Sequence, residues 1–263
     1  RMQRLAYFSR ERLHQITRDL KIDYERRQGC LVLLRSPKDL ARAQPGLATL
    51  ATLGTRYAIL DPDQCRGIEP GLAEQAPLHA GIHLPDDEVG NCRQFALLLR
   101  RAAERIGARF VIDTTVQRIE AGPKPRLVHL RTAREEQPAN DDNAEESGDF
   151  PDTRPYAPEP ITETFDAVVV CAALGAPPLL RPLGLKLPLQ AIYGYSVTAP
   201  MRHSDPHLDQ APRSALMDER YKVAISRLGS RIRVAGSAEI GGSAKEMHAG
   251  ALATLYKVLD DWF

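Results

Sequence analysis

The stretch from Asp166 to Ser196 opens with an unbroken apolar run, Ala167–Ala173, that lacks the polar alternation of a surface strand. Such a run predicts a strand buried on both faces, as in the interior of an α/β sheet. It ends at Gly175, and Pro177 and Pro178 follow closely. In open α/β sheets the backbone at the C-terminal end of such a strand is where ligands bind.

The rest of the pattern alternates between helical and extended periods. Met2, Leu5, Phe8, Leu13, Ile16 and Leu20 recur near a helical period with charges between them, which predicts an amphipathic helix over 1–20. Gly29–Arg35 predicts a strand. Ser36-Pro37 starts a second helix, which Pro45-Gly46 is expected to break or kink. A short strand at Arg56–Leu60, a helical turn capped by Asp61-Pro62, an extended piece at Gly81–Leu84 and a polar loop over 85–91 come next. Asn91 caps a helix whose Phe95, Leu98, Leu99, Ala102, Ala103 and Ile106 share one face, with Gly107 as its stop.

Arg109–Ile112, Val116–Glu120 and Leu127–Leu130 predict strands, the last two opening a small meander. Beyond the apolar run, Leu187–Leu189 and Ile192–Thr198 read as extended. Tyr221–Arg227 and Arg231–Ala235 read as a hairpin around Leu228-Gly229-Ser230. A final helix carries Ala251, Leu255, Val258, Leu259 and Trp262 on one side.

Composition changes this picture in one place. From Thr132 to Thr164 the chain is acidic, proline-rich and poor in large aliphatics, so it buries too little apolar surface to offset its ordering entropy. We expect a weakly ordered insertion there. A net charge of +1 with no basic, aromatic-interleaved cluster gives no footprint for nucleic acid. No apolar run reaches the ~20 residues of a membrane span, and no signal-peptide core follows the charged N-terminus. The chain opens inside a helix, which reads as a fragment. Cys30, Cys65, Cys92 and Cys171 are scattered, the pattern of free thiols in a reducing compartment.

The candidate chemistry is sparse. His79 and His83 would lie ~13 Å apart along a strand, too far for a metal pair. Asp86, Asp87 and Glu88 point different ways along the chain, and no second cluster completes a cation site. No catalytic residue and no metal site are assigned. No strand–GxGxxG–helix unit, nucleophile elbow, HExxH or P-loop is present. A pyrophosphate site for a flavin or nicotinamide would therefore lie ahead of Arg1.

One family accounts for these pieces in order. Tyr24-Glu25 with Gln28-Gly29, then Gly81 with Leu84-Pro85-Asp86-Asp87-Glu88, Gly90, Cys92 and Phe95, resembles the D-amino-acid dehydrogenases of the small-subunit type. These are FAD enzymes of the glycine oxidase and D-amino-acid oxidase superfamily. VVVCAALG, LLRPLGLKLPL, GYSVT and DERYKVAISRLGSRIRVAGSAEI extend the resemblance over nearly the whole chain outside the acidic stretch. The family's N-terminal GxGxxG region and its C-terminal GLRP motif, with the substrate-carboxylate arginine, have no counterpart here. Tyr193 stands where relatives carry lysine before Gly194-Tyr195-Ser196, and Ala176-Pro177-Pro178 replaces the usual aromatic or serine.

The resemblance implies an α/β to α+β fold. Part of it would be of the FAD/NAD(P)-binding type, and a mainly antiparallel substrate sheet would be flanked by helices. Residues 1–23, 91–117 and 166–182 would belong to a partial flavin domain, 24–90 and 184–263 to a substrate domain, and 132–164 to the insertion. It implies oxidative deamination of D-amino acids to 2-oxo acids and ammonia by hydride transfer to FAD, with electrons passed to a quinone or another acceptor. The parent would be cytoplasmic, with peripheral association at the inner face of the membrane. FAD is expected in the full-length parent, and neither tight binding nor activity in this fragment alone. Carried over by position, Val116 would meet the adenine ring through its backbone. Ala172, Ala173, Leu174 and Gly175 would pass close to the flavin and its phosphates, and Tyr221 would face substrate. A glycine, sarcosine or proline oxidase is the rival enzyme reading, and a non-catalytic module that keeps the substrate-domain scaffold is the other.

Overall fold

A computed structural model describes residues 2–131, 159–201, 211–243 and 246–263. Most of the acidic stretch, 132–158, lies outside the described residues. The chain divides into two compact units, Arg1–Ala108 with Ile192–Phe263, and Arg109–Ala191.

The first unit is built on a seven-stranded sheet. Its strands are β1 (Arg27–Leu34), β2 (Ala58–Leu60), β3 (Ala80–Val89), β7 (Ile192–Pro200), β8 (Ala215–Asp218), β9 (Val223–Leu228) and β10 (Arg231–Ile240). They are ordered β2-β3-β1-β8-β9-β10-β7. Only β1 and β8 run parallel; every other neighbouring pair is antiparallel.

Period-two alternation splits β1 between two cores. Leu31 and Leu33 join Leu216, Val223, Ile225 and Val234 beneath Leu255, Val258 and Trp262 of α6 (Ala249–Trp262). Leu34 faces the other way, with Ala80 and Ile82, onto Leu47 of α2 (Pro37–Thr52). Each such side chain contributes about 1.5–3 kcal/mol when fully buried.

Local signals explain most helix boundaries. Ser36 caps α2, and Asp61 with Gln64 forms a reciprocal capping box at α3 (Pro62–Ile68). Asn91 caps α4 (Cys92–Arg105), and Gly107 follows in the left-handed region at φ 98°. Of the break or kink expected at Pro45, the break does not occur: α2 continues through it. Ala41, whose carbonyl would otherwise accept from residue 45, is exposed, so water can solvate the carbonyl that loses its partner. The polar loop expected over 85–91 is instead largely the end of β3. A register shift between Gln28 and Cys30 makes a bulge there that absorbs Pro85.

The helix α1 (Met2–Asp19) is amphipathic as its pattern requires, yet its polar face turns toward the sheet. Tyr7 bonds Thr55 at 3.1 Å, Arg10 donates to the Asp86 carbonyl at 3.0 Å, and His14 meets Glu88 at 2.8 Å. Met2, Leu5, Phe8 and Ile16 remain exposed.

The second unit holds a three-stranded antiparallel sheet of β4 (Thr114–Glu120), β5 (Arg126–Arg131) and β6 (Ile161–Thr164), in that order. The meander begins where the sequence places it, and β6 takes up the last residues of the stretch expected as an insertion. Two expected strands are absent. Arg109–Ile112 and Ala167–Ala172 form no strand and pair with none among the described residues. Phe110, Val111, Ile112 and Val169 are exposed, Val169 at 84%. Their composition is that of interior strands, but no neighbouring strand covers them here.

Candidate functional site: an apolar cavity in the second unit

The meander and the apolar run enclose a cavity of about 570 Å3. One wall is β4 and β5. Ile119 and Leu127 sit directly opposite each other across the ladder, and a bulge between Val116 and Arg118 brings Gln117 into the lining as well. The other wall is the chain over Val168–Ala172. The cavity is closed by Gly175 and by Pro178 and Leu179 of α5 (Ala176–Leu180).

Between the apolar run and α5 the chain makes a single tight turn, with Gly175 N–H donating to the Ala172 carbonyl at 2.7 Å. Ala173 takes φ 44°, a left-handed conformation that costs a non-glycine residue of order 1–3 kcal/mol. Gly175 itself has ordinary helical angles, φ −80° and ψ −11°. A Cβ placed on it would meet only the Ala172 Cβ, at 3.6 Å. No protein neighbour requires glycine at this position.

Among the described residues the lining carries two polar side chains, Gln117 and Cys171, and no cation. Its size lies in the range of small-molecule pockets. Its chemistry suits a flat, largely apolar ring that also takes hydrogen bonds from free backbone. It offers nothing to neutralise a pyrophosphate.

The structure therefore brings Val116, Ala172 and Gly175 together on one cavity, while Ala173 and Leu174 belong to the same turn but lie outside the lining. Tyr221 belongs to the first unit. Its backbone N–H donates to Asp218 Oδ1 at 2.9 Å, and its ring lies under the guanidinium of Arg35 at 4.9 Å and beside Lys257 at 5.7 Å. Pattern reading missed this network. Arg35 is clamped between the Tyr221 and Trp262 rings and ion-pairs with both Asp218 and Asp261 at 2.6 Å. The available signal was a lone arginine closing an apolar strand.

A second missed feature is Glu69, fully buried, which accepts from the backbone of Arg213 at 2.8 Å and of Ser214 at 2.7 Å at the entry to β8. Among the described residues no cluster of three or more His, Cys, Asp or Glu could hold a metal, and no helix is long and apolar enough to cross a membrane.

Known proteins share this sequence and fold. A D-amino acid dehydrogenase of Rhizorhabdus wittichii is 39% identical over 257 residues, covering 97% of this chain and 54% of that protein. A D-amino acid dehydrogenase of Agrobacterium fabrum is 36% identical over 269 residues, covering the whole chain and 56% of that protein. The chain thus spans about half the length of the curated relatives it matches. Among solved structures, glycine oxidase from Geobacillus kaustophilus superposes with a TM-score of 0.72 at 18% identity, over 98% of this chain and 61% of that one. Glycine oxidase from Bacillus cereus gives a TM-score of 0.73 at 16% identity, over 99% of this chain and 63% of that one. At such identities the likeness is one of fold. The family model described as FAD dependent oxidoreductase matches residues 1–263, and the chain belongs to that family.

Proposed function

We propose that this chain is part of a D-amino acid dehydrogenase that oxidatively deaminates D-amino acids to 2-oxo acids and ammonia. The observation that carries the reading is identity of 36–39% to D-amino acid dehydrogenases sustained over the chain's length. The rival reading, a glycine, sarcosine or proline oxidase, draws on the fold likeness to glycine oxidases.

In this reading the cavity beside Val116 would hold the adenine end of FAD, with Ile119, Leu127 and Leu179 shielding the ring from water and the backbone of Val116 orienting it, while Ala172 and Gly175 would pass close to the flavin and its phosphates. The chemistry FAD supplies when bound is acceptance of a hydride from the substrate α-carbon. Ala173 and Leu174 continue that wall toward the flavin, and Tyr221 faces the substrate from a ring fixed by Arg35. Residues 1–23, 91–117 and 166–182 contribute to the flavin domain, and 24–90 with 184–263 to the substrate domain. Electrons leave to a quinone or similar acceptor, with the parent at the inner face of the cytoplasmic membrane.

The lining lacks a cation, so the isolated chain is expected not to retain FAD. Mixing the two and recovering a stoichiometric yellow protein would contradict this. The main test is expression of the full reading frame, a flavin spectrum, and a screen of paired D- and L-amino acids with an artificial electron acceptor. Turnover of D-isomers supports the reading. A flavoprotein that oxidises only L-isomers, or only glycine and sarcosine, overturns it.

A further inference from the structure

The inverted packing of α1 leaves a polar cavity of about 750 Å3 in the first unit, between the C-terminal half of the helix, residues 22–28 and the end of β3. Arg10, His14, Arg18, Tyr24, Arg26 and Glu88 face it.

The acceptors in this cavity already have partners. Glu88 is held by His14 Nε2 at 2.8 Å and by Arg26 Nη1 at 3.2 Å. Asp86 is gripped by both nitrogens of the Arg56 fork, with Nε at 2.7 Å. Asp23 accepts the Glu25 N–H at 3.0 Å.

The donors are in surplus. Arg10 makes one hydrogen bond, to the Asp86 carbonyl, and its guanidinium otherwise stacks on Tyr7 at 5.2 Å. Arg18 has no ion-pair partner among the described residues. The Tyr24 hydroxyl is buried with no acceptor among the described residues. Its position is set by packing: the ring meets Phe95 edge-on at 5.5 Å, and a Cβ on Gly90 would lie 2.3 Å from Tyr24 Cε2. Within the cavity the guanidinium groups of Arg10, Arg18 and Arg26 and the His14 ring face the carboxylates of Asp23, Asp86 and Glu88. Asp87 lies with Arg56 in the adjoining hollow, where burial raises its pKa.

We propose that this cavity binds a small molecule through a carboxylate or phosphate group, gripped by Arg10 and Arg18 beside Tyr24. A planar guanidinium fork matches either oxoanion in two-point geometry. The site draws on residues outside the cavity assigned to FAD, and it stands or falls independently of the proposed reaction.

The test is NMR of the 263-residue chain, following the His14 ring and arginine Nε signals while inorganic phosphate and, separately, succinate are added. The expected result is saturable shifts at His14 and Arg18 that weaken with added salt. Saturation by phosphate alone assigns a phosphate-bearing ligand, by succinate alone a carboxylate-bearing one, and by both the shared oxoanion. Arg18 is exposed, so Arg18→Gln is expected to leave the melting temperature unchanged while weakening binding about tenfold. No saturable shift with either anion, or undiminished binding in Arg18→Gln, overturns the proposal and leaves a cavity that holds water alone.

Discussion

Trp262 donates its indole N–H to Asp218 Oδ2 over 2.8 Å, joining the last turn of the final helix to a fully buried carboxylate in mid-sheet. Arg35 Nε donates to the same oxygen at 2.8 Å, while its Nη2, 2.6 Å away, contributes charge rather than a well-aligned bond. Asp218→Asn would keep the shape and remove the charge, leaving a buried guanidinium that Asp261 alone offsets. Breaking such a pair costs about 3–5 kcal/mol. Urea denaturation should show a loss of that size, with Trp262→Phe costing less, about 1–3 kcal/mol for the lost donor.

Gly81 has no room for a side chain: a Cβ would lie 2.4 Å from Cys65 Sγ and 2.9 Å from Leu31 Cδ1. Gly81→Ala should destabilise the first unit by about 1–3 kcal/mol through overpacking. Adding Cys65→Ala removes the closer clash. The double variant should then be more stable than the sum of the single effects predicts, and additive midpoints in a denaturant cycle would contradict that.

Thiol reactivity should divide the cysteines. Burial pushes Cys30 and Cys65 up to about 11, so at pH 8 both stay protonated. Cys92 and Cys171 are exposed. A disulfide reagent should modify Cys92 and Cys171 quickly in the native chain and reach Cys30 and Cys65 only on unfolding. Mass spectrometry of time points checks the order.

Acid should loosen the Arg35 network through Asp261. Burial raises its pKa, but bonds from Lys257 and Arg35 outweigh this and hold it below the usual carboxylate value. A lowered folded-state pKa adds stability that is complete above the unfolded value of about 3.9 and is lost as pH falls through the folded value. Asp261→Asn should therefore lower stability at pH 7 and flatten its pH dependence below about pH 4, as read from thermal melts across pH.

Gly175→Ala separates fold from function at the cavity. The added methyl meets only Ala172, at an ordinary 3.6 Å, so thermal stability should be preserved. In the protein expressed from the full reading frame, reduced flavin content with unchanged stability would then report contact between this turn and the cofactor. Full retention of flavin would remove Gly175 from the site.

Short-range chemistry was legible in advance. The Ser36, Asp61 and Asn91 caps, the Gly107 stop and the hairpin around Gly229 each act over a few residues, so composition and spacing suffice. The match of Val116 with Ala172 and Gly175 was legible only through family resemblance, because these residues lie more than fifty positions apart. The Ala167–Ala173 run declares an interior strand by composition, yet it is largely exposed and pairs with no strand among the described residues, because strand pairing depends on a neighbour and not on the run itself.

The amphipathic stripe of α1 is likewise written in its residues, but not which side faces inward. That was decided by Thr55, the Asp86 carbonyl and Glu88, distant groups that pair with its polar face. The Arg35–Asp218–Trp262 cluster came from the fold alone. So did the cavity of arginines beside Tyr24. Both depend on long-range placement of charges whose cost of burial only a completed tertiary structure can offset.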